Sequence, residues 1–567
     1  TAANTINVGS VGHAVDINTK GHTLTLDSET TGTGTISALS ANSRDGVTIT
    51  ADKLVIKASD NGRMEAINVG GQGQQNKDHP NKLTINGDVD MQVNGSNYAL
   101  GLYAAGNSEV TFNGNVSAKG DANNTWGLTS KKGAFGYYGV SLVYSGNNYA
   151  LQMGPKVTIN GDVNAKIDGN CLFANGGHAK LTINGGGNIE INKDNTHNYY
   201  AMIAESGTTS MNVNLDDNYN ATGARTNKLV LKGNITASTG AVNASEQELH
   251  SVVNLGLATK DSEWTGVAYN KFPEAGKVTS GKTFTGAINL FLQNGATWNN
   301  EEWGAVEKKA WGADAYTGSH ITKLVGGDNA ANAGVINQND ANDITVDNYN
   351  GNTKVIYKHD STDPTKISGG SFRITNAAEG SAITLMTDRT GLTDGFSDND
   401  SAKSINTVNE VLNKLAQKLF YTSYADKHLA GTVEIADGLT ASSVSLKSGP
   451  ISFSDGTTGT KTAGQGYYDY TPATEFTDTI TGVRSADQKY VDTGVLKDDG
   501  QQYKFTTDTT ITAANTINVG SVGHAVDINA KDHTLTLISA TDSKRTVSAL
   551  AANSQDGVTI TADKLVI

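Results

Sequence analysis

The chain has 567 residues, a formal net charge of −14, and 64 glycines against 6 prolines. That length exceeds one ordinary core, so the chain forms either several domains or an elongated repeat architecture. Acidic and basic residues are interspersed rather than clustered, which disfavours nucleic acid and anionic membrane as partners, and no apolar run approaches the ~20 residues needed to span a bilayer.

Apolar residues make up 37% of the chain, and they occur as short alternating runs among Asn, Thr, Asp and Gly. Such a composition suits short strands joined by Asn/Gly turns, because both residues tolerate positive backbone angles. Strands are predicted first at Thr23–Leu26, Val47–Ile49 and Leu54–Ile56. A motif then recurs as Leu83-Thr-Ile-Asn-Gly-Asp-Val89, Val110-Thr-Phe-Asn-Gly-Asn-Val116, Val157-Thr-Ile-Asn-Gly-Asp-Val163, Leu181-Thr-Ile-Asn-Gly185 and Leu229-Val-Leu-Lys-Gly-Asn-Ile235. The separations are one or two multiples of about 24 residues. Alternation places Leu83, Ile85 and Val89 inward and Thr84 toward water. Asn-Gly here fits two arrangements, a two-residue hairpin in an antiparallel meander or the corner of a parallel β-helix. The repeat length favours the β-helix, with corner asparagines hydrogen-bonded along the axis. At ~4.8 Å per coil the chain would make a rod on the order of 100 Å long.

Tyrosines recur near Gly and Asn through this region. Tyr98, Tyr103, Tyr149, Tyr199 and Tyr200 are the candidate ligand-binding residues, because a rigid ring with a hydroxyl beside amides suits carbohydrate or protein contacts. The alternative is that they stack inside or beside the coil. Lys119-Gly120-Asp121 resembles an integrin-type tripeptide and is read as a chance match. The lone cysteine, Cys171, excludes an intrachain disulfide, and Asn170-Cys171-Leu172-Phe173-Ala174 reads as a buried strand. Asp216-Asp217 is an acid pair read as a solvated turn.

Residues 245–315 hold Trp264, Trp298, Trp303 and Trp311 and are expected to interrupt the repeat. Within them, Gly276-Lys-Val-Thr-Ser-Gly-Lys-Thr283 matches a phosphate-loop pattern. That chemistry needs a helix after the loop, whereas Phe284–Leu290 reads as strand, so the match is attributed to chance. Strands follow at Ile344–Val346, Lys354–Tyr357 and Phe372–Ile374. Asp394, Asp398 and Asp400 could offer oxygens to calcium but are read as turn and capping residues. A helix is predicted over Ser401–Tyr421, with Ile405, Val408, Leu412, Leu415, Leu419 and Phe420 on one face and Glu410 four residues before Lys414. Finally, Thr512–Ile567 repeats Thr1–Ile56 without a gap, about four positions in five identical, at an offset of roughly 511 residues. The histidines, His13, His22, His178, His197 and His359 among them, show no metal spacing, and no metal or cofactor is expected.

The segment Asn289-Leu-Phe-Leu-Gln-Asn-Gly-Ala-Thr-Trp298, the rung Ile344-Thr-Val-Asp-Asn-Tyr-Asn-Gly-Asn352, and the linker-like Ser404-Ile-Asn-Thr-Val-Asn-Glu-Val-Leu-Asn-Lys-Leu415 followed by Gly431-Thr-Val-Glu-Ile-Ala-Asp-Gly438 resemble the passenger regions of type V autotransporter adhesins of Gram-negative bacteria. Neither a signal peptide nor a membrane barrel is seen in this stretch. The resemblance implies export across the outer membrane to the cell surface, and adhesion there.

The expected fold is all-β, a right-handed parallel β-helix with one short helix near 401–421. Its expected divisions are β-helix coils over 1–395, a helical junction over 396–430, a β-rich end of the module over 431–511, and the next repeat copy over 512–567. The expected function is a non-enzymatic adhesin segment binding host or bacterial surface protein or glycan, or itself, with no nucleic acid partner and membrane contact only through a barrel elsewhere. A polysaccharide-cleaving β-helix enzyme and a passive spacer are the alternatives. The enzyme would require carboxylates and Arg or Lys converging in one groove.

Overall fold

The computed structural model describes residues 6–8, 13–30, 35–60, 63–70, 80–95, 98–122, 154–175, 179–193, 195, 199–205, 209–215, 225–238, 248–271, 283–305, 316–388, 410–423, 426–435, 439–440, 445–448, 451–452, 458–459, 466–469, 477–480, 502–505, 508–513, 517–519, 526–539, 550–552 and 557–567. The fold is all-β, a parallel β-helix in which each strand lies beside its equivalent in the next coil. Two compact units are present, Thr1–Thr353 and Lys354–Ile567.

In the first unit a coil contributes a strand, a corner, and a second strand in line. A third strand lies in separate sheets, one of Ile6–Val8, Thr35–Ala41, Arg63–Val69 and Tyr98–Ala104, another of Leu172–Asn175, Tyr200–Glu205, Asn234–Ser238 and Ala268–Lys271. Register is held coil after coil. Ile17, Ile49, Ile85, Phe112, Ile159, Ile183, Val213, Leu255, Leu290, Leu324 and Tyr349 form one inward row of direct partners. A second row runs through Ile56, Met91, Ala118, Ala165, Ile189, Leu231, Trp264, Trp298 and Ile336. Leu83, Ile85 and Val89 are 1%, 0% and 2% exposed, while Thr84 is half-buried, as alternation requires. Burying each such side chain contributes ~1.5–3 kcal/mol. No single coil could bury this surface alone, so stacking creates the core.

The Asn-Gly pairs are corners of the parallel coil, which disposes of the hairpin reading. Lys156–Ile159 pairs in parallel with both Ser108–Phe112 and Lys180–Ile183. At these corners glycine is required by space. A Cβ on Gly161 would lie 2.5 Å from the carbonyl oxygen of Gly114 and 2.7 Å from the nitrogen of Asn115. Gly185 meets the backbone of Gly161 in the same way, and Gly114 that of Gly87. The preceding asparagines form the expected ladder. Asn113 Nδ2 donates to Asn86 Oδ1 at 2.7 Å, Asn160 to Asn113 at 2.8 Å, and Asn184 to Asn160 at 2.8 Å.

The tryptophan-rich region does not interrupt the stack, contrary to expectation. Glu248–Leu257 pairs with Thr283–Leu292, and Glu263–Thr265 with Thr297–Asn300, in unbroken parallel register. Trp264 and Trp298 occupy the inward position held by Leu231 before them and Ile336 after them. Their rings are fully buried and stacked, 4.8 Å apart and 3° from coplanar. Each indole N–H donates at 2.9 Å to a glycine carbonyl, Gly233 and Gly266 respectively. Trp303 reaches across coils, donating to Ile191 O at 2.9 Å. Trp311 lies outside the described residues.

In the second unit the helix ends before the predicted Tyr421. It covers 410–416 among the described residues, with Val411, Leu412, Leu415 and Ala416 buried and Lys414 3.0 Å from Glu410. Residues 401–409 lie outside the description. The predicted final turn is instead the strand Leu419–Tyr421, which pairs in parallel with Phe372–Ala377. Its Leu-Phe-Tyr run favours a pleated surface, and ladder pairing outweighs helical periodicity. Ser381–Thr387 pairs in parallel with Leu429–Ile435. Antiparallel pairs then appear, Ser445–Ser448 with Gly466–Asp469 and Ile451–Ser452 with Thr458–Gly459, before Thr477–Ile480, Gln502–Phe505 and Val526–Ser539 return to parallel stacking.

The duplicated segment repeats its register. Val15–Glu29 pairs with Val47–Asp60 with a shift between Thr19 and Thr23, and Val526–Ser539 pairs with Val558–Val566 with a shift between Ala530 and Thr534. At each shift an aspartate caps a positive-φ residue. Asp52 accepts from Gly21 N at 2.9 Å and Asp563 from Asp532 N at 3.1 Å. Asp532 carries the left-handed angle, φ 69, where the first copy has Gly21 at φ 85. Asp532→Gly should therefore stabilise this coil by ~0.5–1 kcal/mol, relief of the left-handed cost outweighing the entropy of glycine. Slower hydrogen exchange of Val526–Ser539 in the variant checks this, and faster exchange would contradict it.

Candidate interaction surface

The three sequence-selected tyrosines whose side chains are described are buried and form no exposed patch. Tyr103, Tyr199 and Tyr200 are 8%, 5% and 4% exposed. Tyr200 packs with Phe173, Ile203 and Tyr269 on the third face, and its backbone N–H donates to Asn170 Oδ1 at 2.9 Å. Tyr98 opens the strand Tyr98–Ala104 opposite Arg63; its side chain and all of Tyr149 lie outside the described residues. The signal for burial was in the sequence. Tyr199-Tyr200-Ala-Met-Ile-Ala204 is a continuous apolar run, the mark of a strand covered on both sides, as in Leu172–Asn175. Cys171 behaves as read. It is fully buried, and burial pushes its thiol far up, away from the reactive thiolate.

What the coil does present outward is a set of rows. Thr48, Thr84, Thr111, Thr158 and Thr182 are direct partners on successive coils, all half-buried. One position to the side stand Lys82, Glu109, Lys156 and Lys180. Glu109 lies 3.9 Å from Lys82 and 3.7 Å from Lys156. On the other side runs the Asn86, Asn113, Asn160 and Asn184 ladder. Beyond Thr182 the threonine row becomes a second amide ladder. Asn254 donates to Asn212 and Asn289 to Asn254, each at 2.7 Å. Adjacent members of a row are one coil apart, ~4.8 Å. Each exposed ion pair contributes little to stability, roughly 0–1 kcal/mol. The rows instead repeat one set of hydroxyl, methyl, amide and charged groups at fixed spacing. The motif Leu83-Thr-Ile-Asn-Gly gave the threonine and asparagine rows; the placement of Glu109 between Lys82 and Lys156 emerged only once register was known.

On the second face, Lys57, Gln92, Lys119, Lys166, Glu190 and Lys232 share a row, and Glu190 lies 3.6 Å from Lys166 and 3.4 Å from Lys232. Lys119-Gly120-Asp121 belongs to the strand Val116–Ala122 rather than to a loop tip.

A buried polar network, not foreseen from sequence, sits beside Tyr269. The Tyr316 hydroxyl donates to Asp340 at 2.5 Å, Ser319 Oγ to Asn300 Oδ1 at 2.6 Å, and Asn300 Nδ2 to Gln338 Oε1 at 2.5 Å. Burial first, and then the Asp340 carboxylate, push the Tyr316 phenol far above its ordinary value. The phenol thus stays protonated and serves as a donor. Its contacts are structural, since Ser319 also accepts from Ala268 N at 3.1 Å.

Of the chemical motifs, Asp216, Asp217, Asp394, Asp398, Asp400, His178, His197 and the stretch 276–282 lie outside the described residues. Thr283–Leu292 is strand where a phosphate loop would need a helix. Among the described residues no three His, Cys, Asp or Glu gather as a metal site, and no helix is long and apolar enough to cross a membrane. His359 is enclosed, its Nδ1 2.8 Å from Thr387 Oγ1, and His320 Nε2 lies 2.9 Å from Asp347. Comparison with protein-family models, with curated proteins and with solved structures gave no match.

Proposed function

We propose that this chain is a segment of a bacterial cell-surface adhesin, of the type V autotransporter kind, acting by adhesion rather than catalysis. The observation that carries the reading is the register-locked outward face. Threonine and asparagine rows repeat on every coil from Lys82 to Asn184, beside a charged row of Lys82, Glu109, Lys156 and Lys180, and part of the module recurs at the 511-residue offset. A ligand site repeated along a stiff support multiplies weak contacts into firm attachment. Alternation of Lys82, Glu109 and Lys156 makes the face self-complementary in charge, which favours association between copies on neighbouring cells. A host or bacterial glycan or surface protein would use the same hydroxyls and amides. Export to the cell surface and membrane attachment through a separate barrel belong to the same proposal.

Beads coated with the chain should clump, and clumping should weaken as salt rises, because the Debye length falls from about 10 Å at 0.1 M to 3 Å at 1 M. Glu109→Lys, which makes the row uniformly basic, should reduce clumping several-fold while leaving the fold intact by circular dichroism. Absence of both clumping and retention on glycan and matrix-protein arrays would sink the adhesive reading.

A further inference from the structure

Asparagine followed by glycine is chemically fragile, because without a Cβ the glycine nitrogen can approach the asparagine Cγ. Loss of the glycine amide proton lets that nitrogen attack Cγ. The tetrahedral adduct expels the side-chain amide as ammonia and closes a succinimide. Water then opens either ring carbonyl, giving aspartate or isoaspartate. The reaction needs a carboxamide free to turn and a glycine N–H free of the ladder.

This chain offers the same dipeptide in contrasting settings. Asn113 and Asn160 each donate one amide hydrogen bond and accept another, at 2.7–2.8 Å. Their glycines, Gly114 and Gly161, are wedged against the backbone of the preceding coil. Asn86 donates to Thr50 Oγ1 at 3.2 Å and accepts from Asn113, and Asn184 donates to Asn160. Asn294 donates to Ala258 O at 3.1 Å, and Gly295 N is committed to Ala333 O at 3.2 Å. Asn94 precedes Gly95 inside a paired strand, with Gly95 opposite Asp60 and Ala122. Asn350 differs from all of these. It ends the strand Asp343–Asn350 with an exposed side chain, and Gly351 has left the strand at φ 89. Among the described residues neither the Asn350 carboxamide nor the Gly351 nitrogen has a hydrogen-bond partner, whereas Asn350 O still accepts from Gly326 N at 2.8 Å.

We infer that Asn350 is the preferred site of spontaneous deamidation and isoaspartate formation among the described Asn-Gly pairs, the amide ladder protecting Asn113 and Asn160. The modification places a new carboxylate at an exposed corner. The isoaspartate product also lengthens the main chain by one methylene. The corner is tight, since even a Cβ on Gly351 would lie 2.6 Å from Gly327 O. The Gly326–Asn350 bond should therefore loosen once isoaspartate forms, and among the described Asn-Gly corners this one ages first.

The test is to hold the purified chain in mildly alkaline buffer, folded and in parallel in concentrated urea, and to map deamidation and isoaspartate by peptide mass spectrometry. In the folded chain Asn350 should react roughly thirtyfold faster than Asn113 and Asn160, the protection expected from two ordinary hydrogen bonds on each ladder amide. In urea the three rates should converge within a few-fold, which controls for peptide context. Asn350→Gln should abolish isoaspartate at this corner without changing the ladder peptides. Equal rates in the folded chain, or an intact Asn350 under conditions where the urea sample reacts, would overturn the inference.

Discussion

Gly161→Ala should destabilise its coil by about 3 kcal/mol or more, the upper range for an overpacked site. The new methyl would lie 2.5 Å from Gly114 O, 2.6 Å from its carbonyl carbon and 2.7 Å from Asn115 N. All three are backbone atoms, and they cannot yield without parting two coils. The same corner carries the next coil, since Gly185 rests on the Gly161 carbonyl. Displacement would also stretch the Asn160–Asn113 and Asn184–Asn160 bonds. Gly21→Ala serves as the comparison. A Cβ there meets nothing within 4 Å, and only its φ of 85 opposes the change, at about 1–2 kcal/mol. Native-state hydrogen exchange should show lost protection in Lys156–Ile159 and Val163–Ile167 for Gly161→Ala. Equal losses from both substitutions would mean that contact between coils is not what selects glycine at the corner.

Trp298→Ala should cost about 3–5 kcal/mol, the range for removing a buried aromatic side chain. Its ring is fully buried and lies 4.8 Å from that of Trp264. The substitution removes a stacked partner and leaves the Gly266 carbonyl without its indole donor. Trp298→Phe separates the two contributions. It keeps an aromatic ring over Trp264 but gives up the hydrogen bond, and should cost about 1–3 kcal/mol, the price of a buried unpaired acceptor. Because ladder pairing ties each strand to its equivalents in the adjoining coils, the loss should concentrate in Glu263–Thr265 and Gly334–Gln338, which flank Trp298. The exciton signal of the paired indoles in near-ultraviolet circular dichroism should vanish in both variants. A surviving signal, or a uniform loss of protection along the chain, would contradict the stacked-coil account.

These two positions also mark how far the sequence could be read. The recurrence of Leu-Thr-Ile-Asn-Gly at multiples of one coil fixed the strand, the corner and the inward face, and the structure holds Leu83, Ile85 and Val89 where alternation puts them. The glycine was assigned to turn conformation, whereas at Gly114, Gly161 and Gly185 the decisive factor is the backbone of another coil. That backbone is 24 to 47 residues away along the chain for the hydrogen-bonded corners, so no local signal reports it. Tryptophans 264 and 298 looked like an interruption because their volume departs from the aliphatic pattern. The interior accommodates them with glycines at 233 and 266, whose carbonyls face the indoles.

The candidate surface divides similarly. Thr84 and its equivalents were assigned to solvent by alternation, and the ladder asparagines by their place before glycine. Tyr103, Tyr199 and Tyr200 were judged by residue chemistry, and their burial depended on a third face that closes over them. The partnership of Tyr316 with Asp340 had no sequence signature at all, since two polar residues 24 positions apart meet only when coils stack.

By itself the amino-acid order settled the period, the strand polarity and the duplication at the two ends, because each is a pattern over neighbouring residues or an outright copy. Stacking alone decided which glycines are indispensable, which aromatic rings are core, and which charges alternate on the outer face. Those properties belong to contacts between coils, and the chain brings such contacts together only after every coil has been laid in register on the last.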